Sequence, residues 1–376
     1  MAFLSKTTNA TLDGTAGVSG FPVILDHNFQ VHTLSLQYFF DCLKTVEVSS
    51  VGTYGAHICD FVSQLEVDGK KVSEINDGWL KAYKQAIKVR NDDESHNTEN
   101  YASQVCRTVI DYCLWLTKNN YEPYLCGPTK YHKIQITYSE SNKVKHSTSE
   151  NSNSDKRQKI APRSNWIEHI KPFGPQTAGL AIRFELMIDW GRLGGLRAVE
   201  ICLLKINSLP QRETAERALH TERLIPTNLS VSKGGRKEVV RVPPSLVLAT
   251  WDYIDLYRVQ TVRKFNRIHK EEPERAEYIE PSSIFLSDKT GLNLSPISFS
   301  SSVRKAFLKA VQEGKLTVDE RVWAHGLRHN YATKTLKMND EAGYKHPERL
   351  TMQSTRHSSL GAMEVYTGDR FCDDFS

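Results

Sequence analysis

No two of the seven cysteines in this sequence form a C-x-x-C pair: Cys42, Cys59, Cys106, Cys113, Cys126, Cys202 and Cys372 lie scattered along the chain. A zinc ribbon and a disulfide framework both need spacings that are missing here, so reduced thiols in a cytoplasm are the expectation. No apolar run approaches the roughly 20 residues that cross a bilayer. The N-terminal stretch MAFLSKTTNATLDGTAG also lacks the apolar core of a secretion signal. No membrane partner is expected, and the location read from the sequence is cytoplasmic. Internal repeats are absent too, and the net charge of +5 is too slight to identify a partner by itself.

What is present is a 376-residue chain, long enough for two or three domains with separate cores, with the apolar and charged balance of a globular protein. The cations cluster. From PTKYHKIQITY into SESNKVKHSTSENSNSDKRQKIAPR run Lys143, Lys145, Lys156, Arg157, Lys159 and Arg163, against only Glu140, Glu150 and Asp155. The Ser/Asn-rich centre carries too little apolar surface to fold, so residues 129–168 read as a mobile basic linker that binds phosphate or simply stays solvated.

Ahead of this linker the pattern is helical. Tyr54, Ile58, Phe61, Val62 and Leu65 fall on one stripe, as do Val105, Val109, Tyr112, Cys113 and Leu116. SLQYFFDCLKTV and INDGWLKAYKQAIK add two more helices, so an all-α bundle is expected over 30–128, with residues 1–29 as an extended arm. Beyond the linker, 169–376 reads as a mainly α domain with a small β component. An amphipathic helix breaks at Gly194-Gly195 and restarts; LIPTNLSVSKGGRKEVVRVPP predicts a β-hairpin; a long helix with a basic second half follows, then a short strand at SSIFLS and further helices.

Several residues constrain one another in this second part. His325 and Arg328 in AHGLRHNYAT are three apart, which places them over one patch of a helix. Arg197 sits where the glycine break feeds a helix start, and Glu200 three residues on can pin that start or steady the guanidinium. Lys233 in SKGGRK lies at the hairpin tip. Taken singly, each reads equally as an ordinary surface side chain.

Taken together they resemble one family, the tyrosine site-specific recombinases or phage integrases. The family pattern is an arginine in G-L-R-x-x-E, a lysine on a β-hairpin, an H-x-x-R helix, a later histidine and a tyrosine. Arg197, Lys233, His325, Arg328, His357 and Tyr366 match it in order, and the match is detailed over roughly residues 170–370. The resemblance implies an α+β catalytic domain, an N-terminal core-binding helical bundle, and a C-shaped two-domain clamp on DNA.

It also implies roles. Arg197 and Arg328 would hold the phosphate, His357 would donate a further hydrogen bond, His325 would take the proton of Tyr366, and Lys233 would protonate the departing 5′ oxygen. The product would be a covalent 3′-phosphotyrosine, formed without ATP, cofactor or metal. Implied partners are double-stranded DNA, a homotetramer on two sites, and accessory directionality or DNA-bending proteins, in the integration or excision of a mobile element. Arg263 and Arg267, with Arg258 and Lys264 beside them on the basic helix, are candidate DNA contacts.

Three features depart from the pattern. The interval from Arg328 to His357 carries an insertion around EAGYKHPER, Arg356 stands where a glycine usually precedes the histidine, and only residues 367–376 follow Tyr366, so no docking tail is expected. Two rivals share the residues or the fold: a type IB topoisomerase or telomere resolvase, and a non-catalytic DNA-binding regulator.

Overall fold

The computed structural model describes residues 1–12, 15–89, 99–150, 160–221, 223–229, 238–271 and 277–356. Lys156, Arg157, Lys159, Lys233, His357 and Tyr366 lie outside the described residues. The chain divides into two compact units, Met1–Asp155 and Lys156–Ser376.

In the first unit, strand β1 (Phe3–Lys6) pairs antiparallel with β4 (Pro22–Leu25), and β2 (Ala10–Leu12) with β3 (Thr15–Val18). Four helices follow: α1 (Thr33–Leu43), α2 (Val48–Val67), α3 (Asp77–Val89) and α4 (Glu99–Lys118). Each turns an apolar stripe inward, and Phe39, Ile58, Phe61, Leu80, Val109 and Leu116 share one core.

That core extends past both ends of the expected bundle. Phe21 and Ile24 are fully buried in it, so residues 1–29 form part of the domain rather than an arm. The apolar run FPVIL lies flat on α2 because Gly55 has no side chain: a Cβ there would come within 2.3 Å of Pro22. Phe21→Ala is therefore expected to cost this unit about 3–5 kcal/mol in a urea titration, the range for emptying a buried aromatic site.

The segment after α4 is likewise folded up to residue 150. Strand β5 (Cys126–Gly127) pairs parallel with β6 (Ile134–Gln135), and β7 (Thr137–Tyr138) pairs antiparallel with β8 (Val144–Lys145). Ile134 and Ile136 are buried, and the His146 ring bridges Asp77 (3.0 Å) at the start of α3 and Thr148 (2.8 Å). Two isoleucines and a histidine among lysines are enough to tie down a stretch whose composition reads as linker.

The second unit starts with α5 (Ser164–Ile170), whose Trp166, Ile167 and Ile170 enter its core, so residues 160–170 are not linker either. Then come α6 (Ala178–Leu193), α7 (Ala198–Cys202), α8 (Arg212–Leu219) and an antiparallel pair, β9 (Ile225–Leu229) with β10 (Glu238–Val242), in the register Glu238↔Leu229. This is the expected hairpin. Next come α9 (Pro244–Tyr253), a π-helical turn at Ile254–Arg258, and α10 (Val259–Glu271).

The stretch at SSIFLS forms no strand, only the bridges Lys205↔Ser283 and Leu286↔Asn293, because its backbone has partners for single residues and no ladder. Helix α11 (Pro296–Gln312) starts with Ser295 accepting from the Ser298 N–H (3.1 Å) and Pro296 at its first position, a standard start signal. Helices α12 (Ala324–Glu341) and α13 (Pro347–Thr355) complete the described fold. Helix α12 packs on α6 where Gly191 makes room: a Cβ there would come within 2.9 Å of the Leu327 Cβ. That contact fixes the helix carrying His325 and Arg328 against the one that ends at the glycine break.

Candidate active site

The site is organised by the turn between α6 and α7. Gly195 has φ +63°, and a Cβ on it would collide with the Tyr331 ring at 2.4 Å, so only glycine fits. The turn leaves the Gly195 carbonyl facing incoming donors and sets Arg197 at the N-cap of α7 with extended backbone. Glu200, on the first turn of α7, accepts from the Arg197 backbone N–H (2.8 Å) and from its Nη1 (2.7 Å). This fixes the guanidinium's root while leaving the side chain 24% exposed.

Arg328 approaches from α12. It is fully buried, and its Nη1 donates to the Gly195 carbonyl at 2.5 Å while Nη2 donates to the Thr355 carbonyl at the end of α13. His325, one turn earlier on the same helix, is exposed and packs edge-on against His329 with ring centroids 5.0 Å apart. The two expected phosphate ligands thus meet at the turn between α6 and α7 although they stand far apart in sequence. The i, i+3 pair divides its work: the arginine braces the turn from below, and the histidine faces out.

A third arginine joins them, one read from sequence only as a departure from a pattern. Arg356 caps α13 in the left-handed conformation (φ 58°, ψ 42°). Its Nη2 donates to Glu200 (2.9 Å) and to the Gly195 carbonyl (3.2 Å), and its Nη1 to Glu238 at the start of β10 (3.0 Å). An arginine at a position that favours glycine was the available signal; Glu238 carried none.

Burial alone would push the Glu200 carboxyl up, but Arg356, then the backbone and side-chain hydrogen bonds of Arg197, overcome it and hold the group below the usual value of 4.5. A folded-state pKa below the unfolded one means that Glu200 stabilises the fold above about pH 4.5, and that this is lost as pH falls through the lowered value. Glu200→Gln is expected to flatten the acid side of a melting-temperature profile. At neutral pH it should cost roughly 3–5 kcal/mol, since Arg197 loses its carboxylate partner and the buried Arg356 one of its two.

The candidate DNA contacts fall on both units. Lys143 and Lys145 are exposed and, with Arg107, Ser139 and Ser149, line an open cleft of about 650 Å³ in the first unit. Arg163 lies over the Trp166 ring at 5.0 Å. Arg263 and Arg267 are exposed on α10, Arg267 lying 3.8 Å from Glu271, while Lys264 donates to the Asp288 carbonyl (3.0 Å). Arg258 is no phosphate contact: it is buried in the π turn, donating to the Ser283 carbonyl (2.9 Å), the Pro281 carbonyl (2.5 Å) and Glu280 (2.5 Å). Among the described residues, no helix is long and apolar enough to cross a membrane, and no cluster of three or more His, Cys, Asp or Glu is placed to hold a metal ion.

No protein-family model matches this chain, and no curated protein matches it. Solved structures do. A lambda integrase (75–356) dimer bound to a COC′ core site aligns over 91% of this chain and 96% of its own, at 14% identity and TM-score 0.52. The XerH site-specific recombinase bound to its difH substrate before cleavage aligns over 91% and 88%, at 14% identity and TM-score 0.51. The Tn1549 transposon integrase in complex with circular intermediate DNA aligns over 89% and 94%, at 12% identity and TM-score 0.51. The chain has the tyrosine-recombinase fold, mainly α with small β-sheets.

Proposed function

We propose that this chain is a site-specific DNA recombinase that cuts and rejoins strands through Tyr366. The observation that carries the reading is the meeting of Arg197 and Arg328 at the Gly195 turn, in a fold shared with three recombinases solved on DNA. Attack on a phosphodiester passes through a five-coordinate phosphorus whose non-bridging oxygens gain negative charge, and fixed cations aimed there supply the largest share of the catalysis. Arg197 offers its exposed fork directly. Arg328, whose terminal nitrogens hold the Gly195 and Thr355 carbonyls, is the second guanidinium of the proposed clamp.

The tyrosyl oxygen then bonds to phosphorus as the bond to the 5′ oxygen breaks. His325 accepts the phenol proton, Lys233 supplies one to the departing 5′ oxygen, and His357 adds a hydrogen bond to the phosphate. Because the phosphotyrosine keeps the energy of the broken bond, a second 5′ hydroxyl can reverse the step without ATP. Two arginines, a lysine and two histidines supply the cationic charge that metal ions bring to other phosphoryl-transfer sites.

In this reading both units grip one duplex, four copies hold two sites, Lys143, Lys145, Lys156, Arg157, Lys159, Arg163, Arg263 and Arg267 contribute phosphate contacts, and the biological task is integration or excision of a mobile element. The test is capture of detergent-resistant protein–DNA complexes from a pool of nicked duplexes of randomised sequence. Complexes whose strands become joined between duplexes support recombination. Relaxation of supercoiled plasmid without joining supports the topoisomerase alternative, and binding with no covalent complex supports the regulator.

A further inference from the structure

A single guanidinium connects the anchors of both arginines assigned to the chemistry. Through Glu200 Arg356 shares the carboxylate that holds Arg197; through the Gly195 carbonyl it shares the acceptor that holds Arg328; through Glu238 it reaches the first residue of β10, in the hairpin whose connecting residues 230–237 include Lys233. Its own peptide leads directly into His357, and Arg328 holds the carbonyl of the preceding residue, Thr355. With the main chain from Arg197 back through Leu196, these bonds close a ring of Gly195, Arg328, Thr355, Arg356, Glu200 and Arg197.

The position makes the side chain informative. A residue at φ 58° pays a steric penalty that glycine avoids, so glycine is the default for such a helix end. Arginine there must return something specific, and its contacts are two carboxylates and one carbonyl, a set that only a planar, multi-donor group can meet at once. Its side chain is 8% exposed and its fork is already filled by carboxylates, so it is not placed to bind phosphate itself.

We propose that Arg356 is a positioning residue that sets Arg197, Arg328 and the Glu238 end of β10 in the mutual register that strand cleavage needs. This rests on the recombinase reading. A static brace would matter only to folding; a registering residue matters to the rate at saturating DNA, where small misplacements of reacting groups are felt most.

The experiment compares wild type, Arg356→Gly, Arg356→Lys and Glu238→Gln on a nicked duplex recovered from the randomised pool, reading single-turnover adduct formation, duplex affinity and melting temperature. Arg356→Gly suits the left-handed backbone, which offsets part of the counter-charge that the buried Glu200 loses, and is expected to melt somewhat below the wild type. Its adduct formation should fall about 10–100-fold, with duplex affinity within about threefold. Arg356→Lys should not restore the rate, since one ammonium cannot span two carboxylates. Glu238→Gln should slow cleavage and cost nothing further when combined with Arg356→Gly.

Wild-type cleavage by Arg356→Gly, or a slower rate matched by an equal loss of affinity, overturns the positioning role and leaves the recombinase reading intact. Should Arg356→Gly melt far below the wild type, Glu238→Gln alone decides: slower cleavage at unchanged affinity upholds the role, and unchanged cleavage overturns it. Absence of any adduct from the wild type overturns both readings.

Discussion

Tyr366→Phe is expected to bind the recovered duplex as tightly as the wild type and to form no covalent adduct. The change removes one oxygen, the only atom that joins protein to DNA in the proposed reaction, and keeps the ring. A phenol with a pKa near 10 is a poor nucleophile at neutral pH, so the proposed reaction needs cationic surroundings and a base. Deleting the hydroxyl makes those surroundings useless rather than weaker. The loss should therefore be complete on a denaturing gel, with affinity measured in parallel by fluorescence anisotropy. Adducts persisting in Tyr366→Phe would show a different nucleophile and defeat the assignment.

The second large effect separates the two arginines. Both Arg197→Ala and Arg328→Ala should slow adduct formation by about 10²–10³-fold at saturating DNA, the usual loss for one donor to a developing oxyanion. Stability should tell them apart. Arg197 is partly exposed, and Glu200 retains Arg356 and the residue 197 backbone N–H as partners, so its removal should shift a urea midpoint only slightly. Arg328 is wholly enclosed and serves two backbone carbonyls, so alanine should also destabilise the second unit by about 1–3 kcal/mol through unmet acceptors. Equal urea midpoints for the two variants would contradict this difference in burial, and undiminished cleavage by Arg197→Ala would remove it from the chemistry.

The features legible in the sequence were those set by local rules. The stripes of α2 and α4 follow from apolar spacing, the β9–β10 pair from alternation around a glycine turn, and the α6–α7 break from paired glycines. Arg197, Glu200, His325 and Arg328 were singled out because together they resemble a family's pattern, and the turn at Gly195 is where Arg197, Glu200 and Arg328 come together. Features that depend on distant partners were not. Phe21 and Ile24 become core only when α2 offers Gly55 for them to lie on, and Ile134 and Ile136 are outnumbered locally by polar neighbours. Arg258 reads as a solvated cation on a basic helix until the carbonyls of Pro281 and Ser283 arrive beside it. Arg356 shows the limit most clearly: its sequence position marked it as unusual, but its purpose depends on Glu238, more than a hundred residues away.

The division into two separately cored units has a practical corollary. Because Phe39, Phe61 and Tyr112 belong to one interior and Trp190, Phe285 and Phe299 to the other, calorimetry should resolve two endotherms. A chain cut between residues 151 and 159 should yield halves that each keep their circular dichroism, so either half can be transplanted into a chimaera and assayed for what it contributes on its own.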